Sequence, residues 1–176
     1  MSKIAVIYKS KYGASKRYAQ WIAEELNASL FDVSGIKPSQ LTDYDVVIYG
    51  GGLYAGVING VRIVSDNLCK TLVVFTVGLT DPETTDYSEI LAKNFKTEYL
   101  QKIKVFHLRG GADLNKLSLI HKGMIAMLKK IAVKKLPADR TNEEHAILEI
   151  SDGNVDFSDK SAIDPLVEYV RTMLDV

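Results

Sequence analysis

Four short apolar runs constrain this chain more than any other feature: "IAVIY" 4–8, "VVIYG" 46–50, "TLVVFTV" 71–77 and "KVFHL" 104–108. They are rich in β-branched and aromatic residues and nearly unbroken rather than alternating, the pattern of strands covered on both faces in a parallel sheet. "SLFDV" 29–33 is a fifth, weaker candidate. Helical spacing fills the gaps. Ala19, Ile22, Ala23 and Leu26 fall at i, i+3, i+4 and i+7, and a helix is expected over much of 86–101. Ile163, Leu166, Val167, Val170 and Leu174 repeat the rule, with Pro165 tolerable in a first turn. The alternation predicts an α/β fold: an open, doubly wound, five-stranded parallel sheet with right-handed crossovers and ligands outside the carboxyl ends of the strands. No repeat, low-complexity segment or linker divides the 176 residues, so one domain over 1–176 is expected, with 109–138 as a basic helical extension.

Composition narrows the function classes. A single cysteine, Cys69, excludes a disulfide framework, a Cys-x-x-Cys redox pair and a cysteine-ligated cluster within one chain. The apolar run before Lys9 is too short for a signal-peptide core, and no stretch of about 18 apolar residues occurs. A cytoplasmic protein is expected. Lysine plus arginine and aspartate plus glutamate balance at 22 each, so no strong overall field gathers nucleic acid.

The turns after the strands carry the chemistry. "SKYGAS" 10–15 leaves the first strand and opens a helix, where backbone N–H groups converge and the helix dipole favours an anion. Ser10, Tyr12 and Ser15 add hydroxyls, and Gly13 lets the backbone bend closely. The loop fits a phosphate nest, and it equally fits a helix start capped by Ser10 or Ser15. Neither G-x-x-x-x-G-K-[ST] nor G-x-G-x-x-G follows the strand, which argues against nucleoside triphosphate hydrolysis and dinucleotide binding here. "YGGGLYAG" 49–56 offers bare backbone and an aromatic to a flat ligand, or else a tight turn. "TVGLTDPETTDY" 76–87 is a third polar, glycine-containing loop on the same edge.

Ser10, Tyr12, Gly13 and Ser15 match [ST]-x-[TY]-G-x-[ST], and with the strand pattern around them the chain resembles the flavodoxin fold family over essentially its whole length. The resemblance implies strand order 2-1-3-4-5 and FMN as cofactor. It places the FMN phosphate on Ser10, Lys11, Tyr12, Gly13, Ala14 and Ser15. Gly51, Gly52, Leu53, Tyr54, Ala55 and Gly56 would lie beside the ring, Tyr54 stacking, and Thr76, Val77, Gly78, Leu79 and Thr80 at its pyrimidine end. Gly50-Gly51-Gly52 is where a peptide would reorient on reduction. No acid–base residue is assigned: His107 in the fifth run reads as structural, and His121 and His145 lack metal spacing. Simple carriers of this family are strongly acidic and cover the flavin with an aromatic in the third loop; this chain is neutral, and no aromatic precedes Tyr87 there.

The segment after the fifth run adds something else. Residues 116–135 hold six lysines and no acid, and Leu117, Ile120, Met124, Met127, Leu128 and Ile131 form one apolar helical stripe. Lys122, Lys129 and Lys130 oppose it, with Leu119 and Val133 among them. Such a helix can lie on an anionic membrane surface or receive a carboxylate-bearing ligand; alternatively the stripe packs on the sheet and the lysines are simply solvated. The position of this segment resembles the subfamily that includes menaquinone-dependent protoporphyrinogen dehydrogenases, and "DGNVDFSDKSAIDPL" 152–166 resembles subfamily members without an assigned role. The expectation is an FMN-binding oxidoreductase. Its specific alternative passes electrons from protoporphyrinogen IX to a membrane quinone at the inner face of the membrane, and the other alternative is a one-electron carrier without its own substrate.

Overall fold

The computed structural model describes residues 2–113, 119–149 and 154–174; Leu117 of the apolar stripe and residues 152–153 of the quoted terminal segment lie outside them. In chain order the elements are β1 (Ile4–Lys9), α1 (Ala14–Leu26), β2 (Ser29–Asp32), β3 (Val46–Tyr54), β4 (Val57–Ile58), α2 (Arg62–Ser65) and β5 (Leu72–Gly78). They continue with α3 (Ser88–Asn94), α4 (Thr97–Leu100), β6 (Lys104–Arg109), β7 (Gly111–Asp113), α5 (Leu119–Lys134), α6 (Asn142–Glu149), β8 (Asn154–Asp156) and α7 (Asp164–Leu174).

The five expected runs pair in the order β2-β1-β3-β5-β6, all parallel, which is the predicted 2-1-3-4-5 arrangement. Alternate residues face opposite layers. Val6, Ile48, Val73 and Phe75 pack with Tyr18 and Ile22 of α1 and Leu166 and Val170 of α7. Ala5, Ile7, Val47, Tyr49 and Val74 pack on the other side with Leu41, Val64 and Phe95. Both faces are therefore dry, which explains why the runs are continuous rather than alternating.

Three details depart from the sequence reading. The helix expected over 86–101 is broken into α3 and α4, because Phe95 turns extended (φ −132°, ψ 145°) to bury its ring in the second layer. β4 folds back on β3 as an antiparallel pair, Leu53 opposite Ile58. β7 and β8 form a separate antiparallel pair, Gly111 opposite Asp156, tied to α1 by the Arg17–Asp156 ion pair.

Gly50 is fixed by crowding. A Cβ built there would lie 1.9 Å from Cζ of Phe75, a fully buried ring. Gly50→Ala is expected to lower stability by about 2 kcal/mol or more through overpacking, read as a shift in urea midpoint; adding Phe75→Leu should restore part of it. A Gly50→Ala midpoint equal to that of the parent would show that the layer yields.

Candidate functional site

β1, β3 and β5 end side by side, and the helices following β1 and β3 leave toward opposite layers, so a crevice opens where the strand order reverses. It is a cavity of about 220 Å³. Ser10, Lys11, Tyr12, Ala14 and Ser15 form one end, residues 52–55 one wall, and residues 77–79 with Gly110 and Gly111 the floor.

The first end is built for an anion. Gly13, with φ 99°, starts α1 in the left-handed region, and no side chain caps the helix. Neither Ser10 nor Ser15 plays the capping role: the Ser10 hydroxyl accepts a hydrogen bond from the Gly13 N–H at 3.1 Å, inside the loop. The first-turn N–H groups of α1 are thus left for a ligand, with the buried Ser15 on the same turn.

The wall is a hairpin of two left-handed residues, Ala55 (φ 48°) and Gly56 (φ 75°). α3 holds it from behind. Lys93 Nζ donates to the Ala55 carbonyl at 2.9 Å, Asn94 Nδ2 to the Gly56 carbonyl at 2.8 Å, and the Ile58 N–H donates to Asn94 Oδ1 at 2.9 Å. Tyr54 folds back over Gly52, whose Cβ would lie 3.1 Å from the ring, and stands 6.3 Å from Tyr12 between centroids. Burial, with Tyr12 adding to it, pushes the Tyr54 hydroxyl up to about 12. Lys11 Nζ sits 5.4 Å from the Tyr12 ring and 5.9 Å from the Tyr54 ring, within cation–π reach. Among the described residues no carboxylate or imidazole lines the cavity, and the walls they form are a flat, largely apolar slot.

Not every predicted residue reaches this slot. Gly13, Gly51, Gly56, Thr76 and Thr80 are not on its surface. Gly51 is pressed against Asn59 and Ile58, where a Cβ would lie 2.7 Å from the Asn59 carbonyl oxygen. Gly50, Gly51 and Gly52 are all paired with β5 inside β3, so the run expected to reorient is held by the ladder; the left-handed pair in this wall is Ala55–Gly56. Thr76 is fully buried within β5, its hydroxyl hydrogen-bonded to His107 Nδ1 at 2.6 Å. Tyr87 stacks on that imidazole at 3.4 Å between centroids and 5° between planes, which anchors the end of the third loop to the sheet.

The residues that sequence reasoning missed come from α5. Met124, Ile125 and Leu128 close the slot opposite the hairpin. Their signal was present: Met124 and Leu128 belong to the apolar stripe singled out in the sequence, though not as slot residues, and Ile125 lies beside it on the same helix. Arg109 fastens this segment: its Nε donates to the Leu79 carbonyl at 2.9 Å, its guanidinium lies 3.7 Å over the Phe157 ring, and it pairs with Glu149. Its own carbonyl accepts from the Tyr18 hydroxyl at 2.7 Å.

The flavodoxin domain family matches residues 5–139 of this chain. The protein belongs to that family. An uncharacterized protein of Methanocaldococcus jannaschii, MJ0298, is 33% identical over 55 residues, 31% of this chain and 37% of that protein, so the match spans little more than a third of the relative. Among solved structures, oxidised flavodoxin 1 from Bacillus cereus is similar at 16% identity and TM-score 0.46, covering 61% of this chain and 84% of that one. A flavoprotein from Lactobacillus acidophilus NCFM in complex with FMN is similar at 14% identity and TM-score 0.41, covering 62% and 93%.

Burial holds the His107 imidazole at about 4, below its ordinary 6.5. The folded state favours the neutral ring, so this contribution to stability is complete above the unfolded value of 6.5 and is lost as pH falls toward 4. Asp32 and Asp45, whose carboxyls sit below their ordinary 3.8, titrate later. Thermal melts are expected to show a decline in this window that His107→Asn flattens. Parallel parent and variant curves would remove His107 from the loop anchor.

Proposed function

We propose that the slot binds FMN and that the protein is an electron-transfer flavoprotein. One observation carries the reading: an uncapped, glycine-started helix N-terminus opens into a flat slot walled by bare backbone and Tyr54. The residues fit the cofactor part by part. The N–H groups of Ala14 and Ser15 and the hydroxyls of Ser10 and Tyr12 receive the phosphate, Gly13 gives the turn its bend, and Lys11 supplies positive charge at the same end. Tyr54 stacks on the ring, residues 52–55 and 77–79 meet its edges through the backbone, and Leu53 and Leu79 keep water off it. Bound FMN supplies one- and two-electron chemistry, and the protein tunes it through these contacts. The protonated Tyr54 hydroxyl presents a neutral donor rather than a charge.

A finer reading, an oxidoreductase passing electrons from a propionate-bearing porphyrinogen to a quinone, is favoured by one feature. α5 brings an apolar wall of Met124, Ile125 and Leu128 to the slot, whose only lining lysine among the described residues is Lys11, which suits a flat ring better than contact with a large protein partner. Reoxidation of the reduced protein by a menaquinone analogue tests this. Fast turnover supports it, and inert behaviour toward quinone supports the carrier.

Gly13→Asp places a carboxylate in the phosphate nest and a side chain on a left-handed residue. FMN affinity, read by quenching of flavin fluorescence, is expected to fall by about 100-fold or more, while riboflavin, which lacks the phosphate, weakens far less. Stoichiometric FMN retained by this variant would overturn the assignment of the loop.

A further inference from the structure

The apolar stripe of α5 does not pack on the sheet. Ile120, Met124, Met127 and Ile131, at i, i+4, i+7 and i+11, form one continuous line on the outer face. Ile120 is 76% exposed, Met127 58% and Ile131 42%, and Leu119 at 86% extends the line at its start. The helix is held from the other side. Ala132 is buried, its carbonyl accepts from Arg140 Nε at 2.9 Å, and Lys135 pairs with Glu144 at 2.7 Å. Within Leu119–Lys134 there are four lysines and no acid. Lys134 borders the exposed line and Lys130 lies a quarter-turn from it, while Lys122 is on the opposite side of the helix and Lys129 is half-buried.

We infer that the outer face of α5 docks on an anionic lipid surface, with the helix lying in the headgroup plane. An exposed apolar line on a folded domain needs an occupant, and charge selects among the candidates. A second copy would set one lysine-bearing face against another with no acid to answer it. An anionic bilayer takes the apolar line into the acyl boundary and the lysines among its headgroups. Among the described residues no helix is long and apolar enough to cross a membrane, so the contact is peripheral. Docking this way also sets the slot beside the lipid, because Met124 both lines the cavity and sits on the exposed stripe.

The test is flotation of the full chain with vesicles of phosphatidylcholine alone or mixed with phosphatidylglycerol. The parent protein is expected to bind the mixed vesicles, to leave pure phosphatidylcholine largely unbound, and to be released by salt. Lys130→Gln/Lys134→Gln should weaken partitioning by roughly 30-fold, given the attraction per lysine near an anionic surface. Ile120→Asp/Met127→Asp should abolish it, and Lys37→Gln/Lys102→Gln, far along the chain from α5, should change nothing. FMN binding is measured on the same samples, so loss of the cofactor site and loss of docking are read separately. Absence of parent binding to anionic vesicles overturns the proposal. So does a dimer by light scattering that Ile120→Asp/Met127→Asp dissolves while vesicles are ignored.

Discussion

Bare backbone in the middle of β3 is the constraint on which the rest is built. The ring of Phe75 occupies the space where a Cβ on Gly50 would sit, so the central pair of strands closes only because that position carries no side chain. One and two residues on, the same bareness lets Ile58 and Asn59 press against Gly51 and lets Tyr54 lie over Gly52. One run of glycines thus seals the first core layer and also shapes the wall of the slot. The Tyr49 hydroxyl, donating to the Asn59 carbonyl at 2.6 Å, fixes the returning chain from the other layer.

Among the described residues, the contacts joining the segment after β6 to this frame differ in weight. The Arg109–Glu149 pair is half in solvent, so it contributes little by itself. The bonds around Tyr18 are protected: its ring is fully buried, its hydroxyl donates to the Arg109 carbonyl and accepts from the Asp159 N–H at 3.1 Å. Buried polar groups that satisfy one another are costly to separate, so α1, the end of β6 and the turn before α7 move as one body. α5 hangs from that body through β7, α6 and Arg140 rather than through a sheet face of its own.

This division explains what the sequence made legible. The β strands and the loops that meet at the slot follow from continuous apolar runs and glycine placement, which depend on short-range chemistry, while the strand order is implied by the resemblance to the flavodoxin fold. The break at Phe95 is not readable, because it depends on a distant layer having room for a ring. Thr76 lies in the strand rather than the loop for a related reason: β5 runs to Gly78, three residues into the stretch read as loop, and His107 on the neighbouring strand takes its hydroxyl. α5 is the sharpest case. It is apolar around much of its circumference, so the single stripe read from the sequence divides in the structure into two lines, Ile120–Met124–Met127–Ile131 and Ile125–Leu128–Ala132, and nothing local decides which is covered. The structure covers the second and leaves the first outside.

That choice gives α5 two surfaces with one backbone between them. Ile125 and Leu128 set the width of the slot from inside, while Ile120, Met127 and Ile131 meet whatever lies outside. A rigid helix does not bend one face independently of the other, so a force that seats the outer stripe is transmitted to the slot as a rotation or shift of Met124, Ile125 and Leu128. Met124 stands on the boundary, and methionine suits that place because its unbranched, polarisable chain adapts to either surroundings at low cost. The slot end at Ser10–Ser15, tied to β1 and α1, would feel none of this. On the proposed reading, cofactor retention and access to the slot are governed by different parts of the chain: the first by backbone that the sheet holds fixed, the second by α5, which among the described residues is held mainly by α6.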